Sequence, residues 1–205
     1  MRLILASASP ARLETLRRAG LSPEVIVSGV DEDAIAADTP AQLAARLADL
    51  KAEAVSALVI ATGVEVTTVI VGCDSLLEVD GTAFGKPSDP EDALQRWQRL
   101  RGSSGVLHTG HRVIVLSPGS DPACAERTAV ASTIVHFAEL TDQEIEAYVA
   151  TGEPLAVAGA FTVDGFGGPF VVGIEGDHHN VVGISLPLLR VLLGELGVAW
   201  PALWR

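Results

Sequence analysis

The sequence predicts an α/β protein. Three observations carry that expectation. Apolar, β-branched runs alternate with stretches of helical periodicity along the chain. The first run, Leu3-Ile4-Leu5-Ala6, passes straight into Ser7-Ala8-Ser9-Pro10 and then a helical pattern. A length of 205 residues suits one domain, or two lobes sharing one core.

Residues 1–6 read as a strand, and residues 11–19 as a helix stopped by Gly20. A second strand is expected over 24–28, leading into the acidic turn Asp31-Glu32-Asp33. Thr39 and Pro40 form an N-cap and first position for a long helix, with Leu43, Leu47 and Leu50 at helical spacing. Residues 68–73 are rich in β-branched side chains and read as a buried strand, closed by Asp74-Ser75. Residues 76–79 and 82–84 then form a hairpin about Asp80-Gly81. Asp89-Pro90 opens a helix through Leu100 that Gly102 stops. Long strands are expected over 112–116 and 129–137, joined by a loop at 117–123. Thr141 caps a helix over 142–150, with Glu144 completing a capping box. A glycine-rich region follows over 152–176, and a last helix over 186–196.

Composition narrows the function. The net charge of −12 argues against non-specific nucleic-acid binding and against docking on anionic lipid. Positive charge is instead local: residues 1–20 hold four arginines against the single acid Glu14. They adjoin a strand-to-helix turn carrying Ser7 and Ser9, and helix N-terminal N–H groups, hydroxyls and a guanidinium together suit phosphate. A secretory h-region and a membrane span are not expected. With only Cys73 and Cys124, neither is a disulfide framework, so the expected location is cytoplasmic.

Each candidate side chain has a plain reading beside a chemical one. Asp74, at the expected end of a buried strand, is placed to bind a metal or take a proton from water, or to cap a turn. Glu32 is a second carboxylate for that metal, or part of a solvated acidic loop. Lys86 sits in Gly85-Lys86-Pro87, where glycine admits a ligand and proline fixes the turn; the spacing is not that of a P-loop. Lys51 alone reads as a solvated helix lysine. His108 and His111, and the pair His178-His179, lack the spacing of a zinc site. Cys73 reads as a small core residue, and Gly165-Phe166-Gly167-Gly168 follows no strand-to-helix unit of a dinucleotide fold.

Taken in order, these segments resemble the Maf family of nucleoside triphosphate pyrophosphatases. The similarity runs through Leu5-Ala6-Ser7-Ala8-Ser9-Pro10-Ala11-Arg12, Val30-Asp31-Glu32, Lys51-Ala52, Ile70-Val71-Gly72-Cys73-Asp74-Ser75 and Phe84-Gly85-Lys86-Pro87. It continues through Gly152-Glu153-Pro154, Ala158-Gly159-Ala160-Phe161 and Asn180-Val181-Val182-Gly183. The resemblance implies one domain over 1–205, with a mixed sheet, flanking helices and two lobes around a central cleft. It implies hydrolysis of a nucleoside triphosphate to monophosphate and diphosphate with a divalent metal (Mg, Mn or Co), held by Asp74 and Glu32. Asp74 falls at the family's proton acceptor and Glu32 at its other catalytic carboxylate. Lys51 and Lys86 fall at its phosphate-side lysines, and Ser7, Ser9 and Arg12 in its N-terminal phosphate loop. A homodimer is suggested by the family. A nucleotide-binding regulator of septum formation with little turnover is the alternative.

Some positions depart from the family. Ala11 replaces an arginine, Ser75 a threonine, and Val163-Asp164-Gly165 a Gly-x-Gln-Gly segment, three places associated with base choice. Ala156-Val157 and Gly105 also differ from the family's residues. Asp164, an acceptor, suits the N–H donors of a guanine-type edge.

Overall fold

The computed structural model describes residues 1–32, 34–119 and 122–204. Asp33 of the expected acidic turn, and Ser120 and Asp121 of the expected 117–123 loop, lie outside the described residues.

Seven strands form one mixed sheet in the order β2-β1-β3-β5-β6-β7, with β4 also paired to β3. The strands are β1 (Arg2–Ala6), β2 (Glu24–Val25), β3 (Thr68–Val79), β4 (Thr82–Phe84), β5 (Ser104–Leu116), β6 (Cys124–Phe137) and β7 (Val171–Glu175). β1 runs parallel to β2 and β3, and the remaining pairs are antiparallel. Asp80 and Gly81 both take positive φ, 49° and 75°, as a two-residue hairpin turn between β3 and β4 requires.

One expectation fails in a useful way. Asp74-Ser75 does not close a strand; β3 continues through both residues for 12 in all. Asp74 pairs with Gly110 and Ser75 with Thr109 on β5, so the ladder is unbroken on that side. On the other side, β1 ends opposite Gly72, and β4 covers only Leu77 to Val79, its last residue Phe84 lying opposite Leu77. Residues 73–76 therefore form a notch in that edge of β3, just beyond the carboxyl end of β1. β5 also starts earlier than its apolar pattern suggests, because Gly105, His108, Thr109 and Gly110 are strand residues chosen for contact rather than hydropathy.

The faces of β3 explain the two lobes. Its odd-numbered residues Val69, Val71 and Cys73 pack with α1 (Pro10–Arg18) and α6 (Leu186–Glu195) in one core. Leu77 and Val79 point the same way into a second core with α3 (Pro90–Leu100) and α4 (Asp142–Ala150). There Trp97 meets Phe137 and Tyr148 edge-on at 5.6 and 5.4 Å between ring centroids. Between the cores the inward position is Ser75, bonded to Thr109 at 2.9 Å. A polar seam thus divides the apolar face.

The opposite face of the sheet is covered by α2 (Pro40–Thr62), capped by Thr39 with Pro40 in its first turn. Ala52, Val55 and Val59 pack there on Ile4, Ile70 and Ile114. The helix lies directly on Gly72 and Gly110: a Cβ on either would strike the backbone of Ala48 or Ala44. Gly72→Ala is accordingly expected to lower stability by about 1–3 kcal/mol. It should also weaken turnover, because Lys51 rides on the displaced helix. Urea unfolding with a parallel assay checks this; an unchanged midpoint would contradict the close approach.

Candidate active site

Two groups of side chains meet at the notch, one on each face of β3. On the α2 face, Lys51 Nζ contacts Asp74 Oδ1 at 2.5 Å and Glu32 Oε1 at 2.7 Å. The Lys51 and Asp74 side chains are only 8% and 10% exposed, whereas that of Glu32 is 50% exposed. The two carboxylate oxygens are thus gathered around one positive charge, with Glu32 on the solvent side. Burial pushes the Asp74 carboxyl above its ordinary range, while the charges of Lys51 and Arg12 oppose that rise. The result is a carboxylate more basic than a solvated one, held by a lysine that leaves its second oxygen free of that contact.

On the other face, Arg12 sits in the first turn of α1, where Ser9 caps the helix by accepting from the Arg12 N–H. Its guanidinium is buried and spans three chain segments. Nη1 donates to Ser7 Oγ and to the Cys73 carbonyl, both at 2.9 Å, Nε to the Gly183 carbonyl at 2.7 Å, and Nη2 to Ser75 Oγ at 2.9 Å. The Cys73 carbonyl lies in the notch, so Arg12 fills part of the place a neighbouring strand would take. Thr109 uses its one hydroxyl hydrogen on the Asn180 carbonyl at 3.3 Å. Ser75 must therefore donate to Thr109, and the chain of donors runs from Arg12 through Ser75 to Thr109. Asn180, on α5 (His178–Val182), is fully buried and ties Leu107 and Thr133 to this seam.

The expected residues do not all converge. Glu32, Lys51 and Asp74 form one cluster; Ser7, Ser9, Arg12 and Ser75 form the second. Lys86 is exposed at the rim: with Phe84 paired to Leu77, the chain leaving β4 runs on beside the notch. No hydrogen bond or ion pair among the described residues joins its ammonium to Asp74. Ala11 is half-buried in α1 and Asp164 is exposed. Thr109 carries no signal in the sequence, while Asn180 and Glu153 lie in segments of the family resemblance that assign them no role. Glu153 accepts from Tyr148 Oη, Thr162 Oγ1 and the N–H groups of Phe166 and Gly167, and so shapes the loop carrying Asp164. Its place beside Gly152 and Pro154 was the available signal.

His111 is fully buried and bonded at both ring nitrogens. Nε2 accepts from the Ser185 N–H and Nδ1 bonds the Thr109 carbonyl, each at 2.9 Å. The ring is therefore the neutral Nδ1–H tautomer. Burial lowers its pKa from 6.5 to about 4. The unfolded chain takes up this proton first as pH falls, so stability present above pH 6.5 is lost on descending to about 4. The loss should amount to about 3 kcal/mol. Urea midpoints across this range check it: His111→Gln should be less stable at neutral pH and have a flatter pH dependence. An equal slope in both proteins would refute the assignment.

The donor set of the first cluster fits a hard divalent cation. Mg²⁺ is commonly held by one or two carboxylates, with phosphate and water completing its shell. No group of three His, Cys, Asp or Glu side chains able to hold a metal occurs among the described residues. Asp74 and Glu32 could supply two carboxylates to such an ion, with a polyphosphate and water completing its shell.

The family model described as Maf-like protein matches residues 2–196. The chain is 55% identical over 204 residues to a nucleoside triphosphate pyrophosphatase of Salinispora tropica, covering 100% of this chain and 88% of that protein. It is 56% identical over 204 residues to one of Streptomyces avermitilis, covering 99% and 94%. It is 47% identical over 210 residues to one of Mycobacterium marinum, covering 99% and 96%.

Proposed function

The chain belongs to the Maf-like protein family, and on that premise we propose that it hydrolyses nucleoside triphosphates to monophosphate and diphosphate at the β3 notch. The observation that carries the placement is the Asp74–Lys51–Glu32 cluster, buried on one side and open on the other. Residues 1–205 act in it as one catalytic domain.

In this reading Asp74 accepts a proton from water, whose oxygen attacks the α-phosphorus. The bond from that phosphorus to the bridging oxygen breaks, and diphosphate leaves. Lys51 holds Asp74 Oδ1, which orients the carboxylate and leaves Oδ2 for the water. Asp74 and Glu32 would hold the divalent cation (Mg, Mn or Co), which would neutralise charge on the triphosphate. Ser7, Ser9, Arg12 and Lys86 serve the phosphates. Arg12 acts chiefly by holding the turn, since four of its five N–H donors are already engaged within the protein. Positive groups aimed at the leaving diphosphate help most where its charge grows, in the transition state. Ser75 and Asp164 are assigned to base selection, with Ala11 leaving space where the family has a cation.

No nucleic-acid or membrane partner enters this reading, in keeping with the charge of −12. No helix among the described residues is long and apolar enough to cross a membrane, and Cys73 and Cys124 are both free thiols. A cytoplasmic location is part of the proposal. A product-resolved screen of standard and modified triphosphates with several divalent cations tests the function. Diphosphate and monophosphate in equal amounts are expected. Orthophosphate with nucleoside diphosphate would mean attack at the terminal phosphate, and tight binding without turnover would mean a regulator.

A further inference from the structure

Arg96 on α3 lies outside both clusters, yet it grips the chain that carries Lys86. One edge of its guanidinium forks onto Asp92, with Nε to Oδ1 at 2.8 Å and Nη2 to Oδ2 at 2.6 Å. The other edge donates to backbone carbonyls: Nη1 to Gly85 at 2.7 Å and Nη2 to Lys86 at 3.4 Å. The same plane lies over the Phe84 ring, with Cζ 5.3 Å from the centroid. Three successive residues, 84 to 86, are therefore held by one side chain. Gly159 adds a second donor to the Gly85 carbonyl, at 3.0 Å.

An ordinary helix-surface pair would not need this arrangement. An Asp–Arg pair four residues apart is satisfied by solvated contact and stabilises a helix only slightly. Here the Arg96 side chain is largely buried, and its remaining donors are spent on a turn. Lys86 itself is exposed on a flexible four-carbon stem. Where its ammonium can reach is set by the backbone it springs from, and that backbone leaves β4 beside the notch.

We infer that Arg96 is the positioning residue for Lys86, fixing the Gly85–Lys86 backbone so that the ammonium is presented to phosphates bound at the notch. The inference rests on the proposed phosphate role of Lys86. A double-mutant cycle of Arg96→Met and Lys86→Met tests it, reading kcat and KM for a triphosphate together with urea stability. Lys86→Met should lower kcat/KM by about 10-fold or more. Arg96→Met should cause a comparable loss, yet add less than about 2-fold once Lys86 is gone. Arg96→Lys, which keeps the charge but not the fork, should not restore activity. Losses that multiply in the double variant overturn the positioning role while leaving that of Lys86 intact. An unchanged kcat/KM in Lys86→Met overturns both roles. If Arg96→Met does not fold, Asp92→Asn loosens the same fork from its far side. A loss that disappears in the Lys86→Met background supports the inference; no loss, or a multiplicative one, overturns it.

Discussion

Asp74→Asn is expected to lower the rate of diphosphate release by ~10²–10⁴ while triphosphate binding persists. Asparagine keeps the size and one acceptor oxygen but cannot take a proton from water. It also removes the partner that neutralises Lys51 Nζ, which would turn wholly to Glu32 at 2.7 Å. Stability should change little by comparison, since burial disfavours the charged carboxylate in the folded protein. Single-turnover measurements at saturating triphosphate, beside a direct binding titration, separate chemistry from affinity. A rate within a few-fold of the parent would remove Asp74 from the role of base.

Arg12→Ala should instead act on the fold. Its removal leaves the carbonyls of Cys73 and Gly183 and the hydroxyls of Ser7 and Ser75 without their charged donor. Bonds to ionised groups are the stronger kind, and buried acceptors left alone are costly, so about 3–5 kcal/mol of stability should be lost. Lysine should rescue only part, because a single ammonium cannot fork across three segments. Turnover should fall as well, since the N-terminal turn and the notch share this anchor. Urea unfolding of both variants checks the order. A loss under about 1 kcal/mol for Arg12→Ala would mean that the seam holds without its guanidinium.

Local chemistry made the helices legible before the structure. Thr39 with Pro40, Asp89 with Pro90, and Thr141 with Glu144 fix three helix starts, and all three caps are formed. The two-residue Asp80-Gly81 turn was equally plain because few residues other than glycine accept its backbone angles. What escaped was long-range. β3 stops at Asp74 only if polar residues are taken as strand ends; in the fold their partners come from Lys51 and Arg12, 23 and 63 residues away from Asp74 and Ser75 respectively. The first half of β5 was hidden because Gly110 serves the approach of α2 and Thr109 serves the seam. β7 and α5 lie within and beyond a glycine-rich stretch whose shape depends on side chains such as Glu153 and Asn180.

The site was legible to a different degree. Family resemblance singled out Glu32, Lys51 and Asp74, and the fold brings the three together. Composition and spacing alone left Glu32 and Lys51 as ordinary surface charges. Arg96 had a visible signal, its spacing of four from Asp92 on a helix, but that pattern is so common that only the contacts to Gly85 and Lys86 distinguish it.

In the proposed reaction the Asp74 cluster drives water onto the α-phosphorus. Hydrolysis in ¹⁸O-labelled water, with both products weighed by mass spectrometry, addresses it directly. The label is expected in the nucleoside monophosphate, with unlabelled diphosphate. Label in the diphosphate would mean attack at the β-phosphorus and would contradict the account.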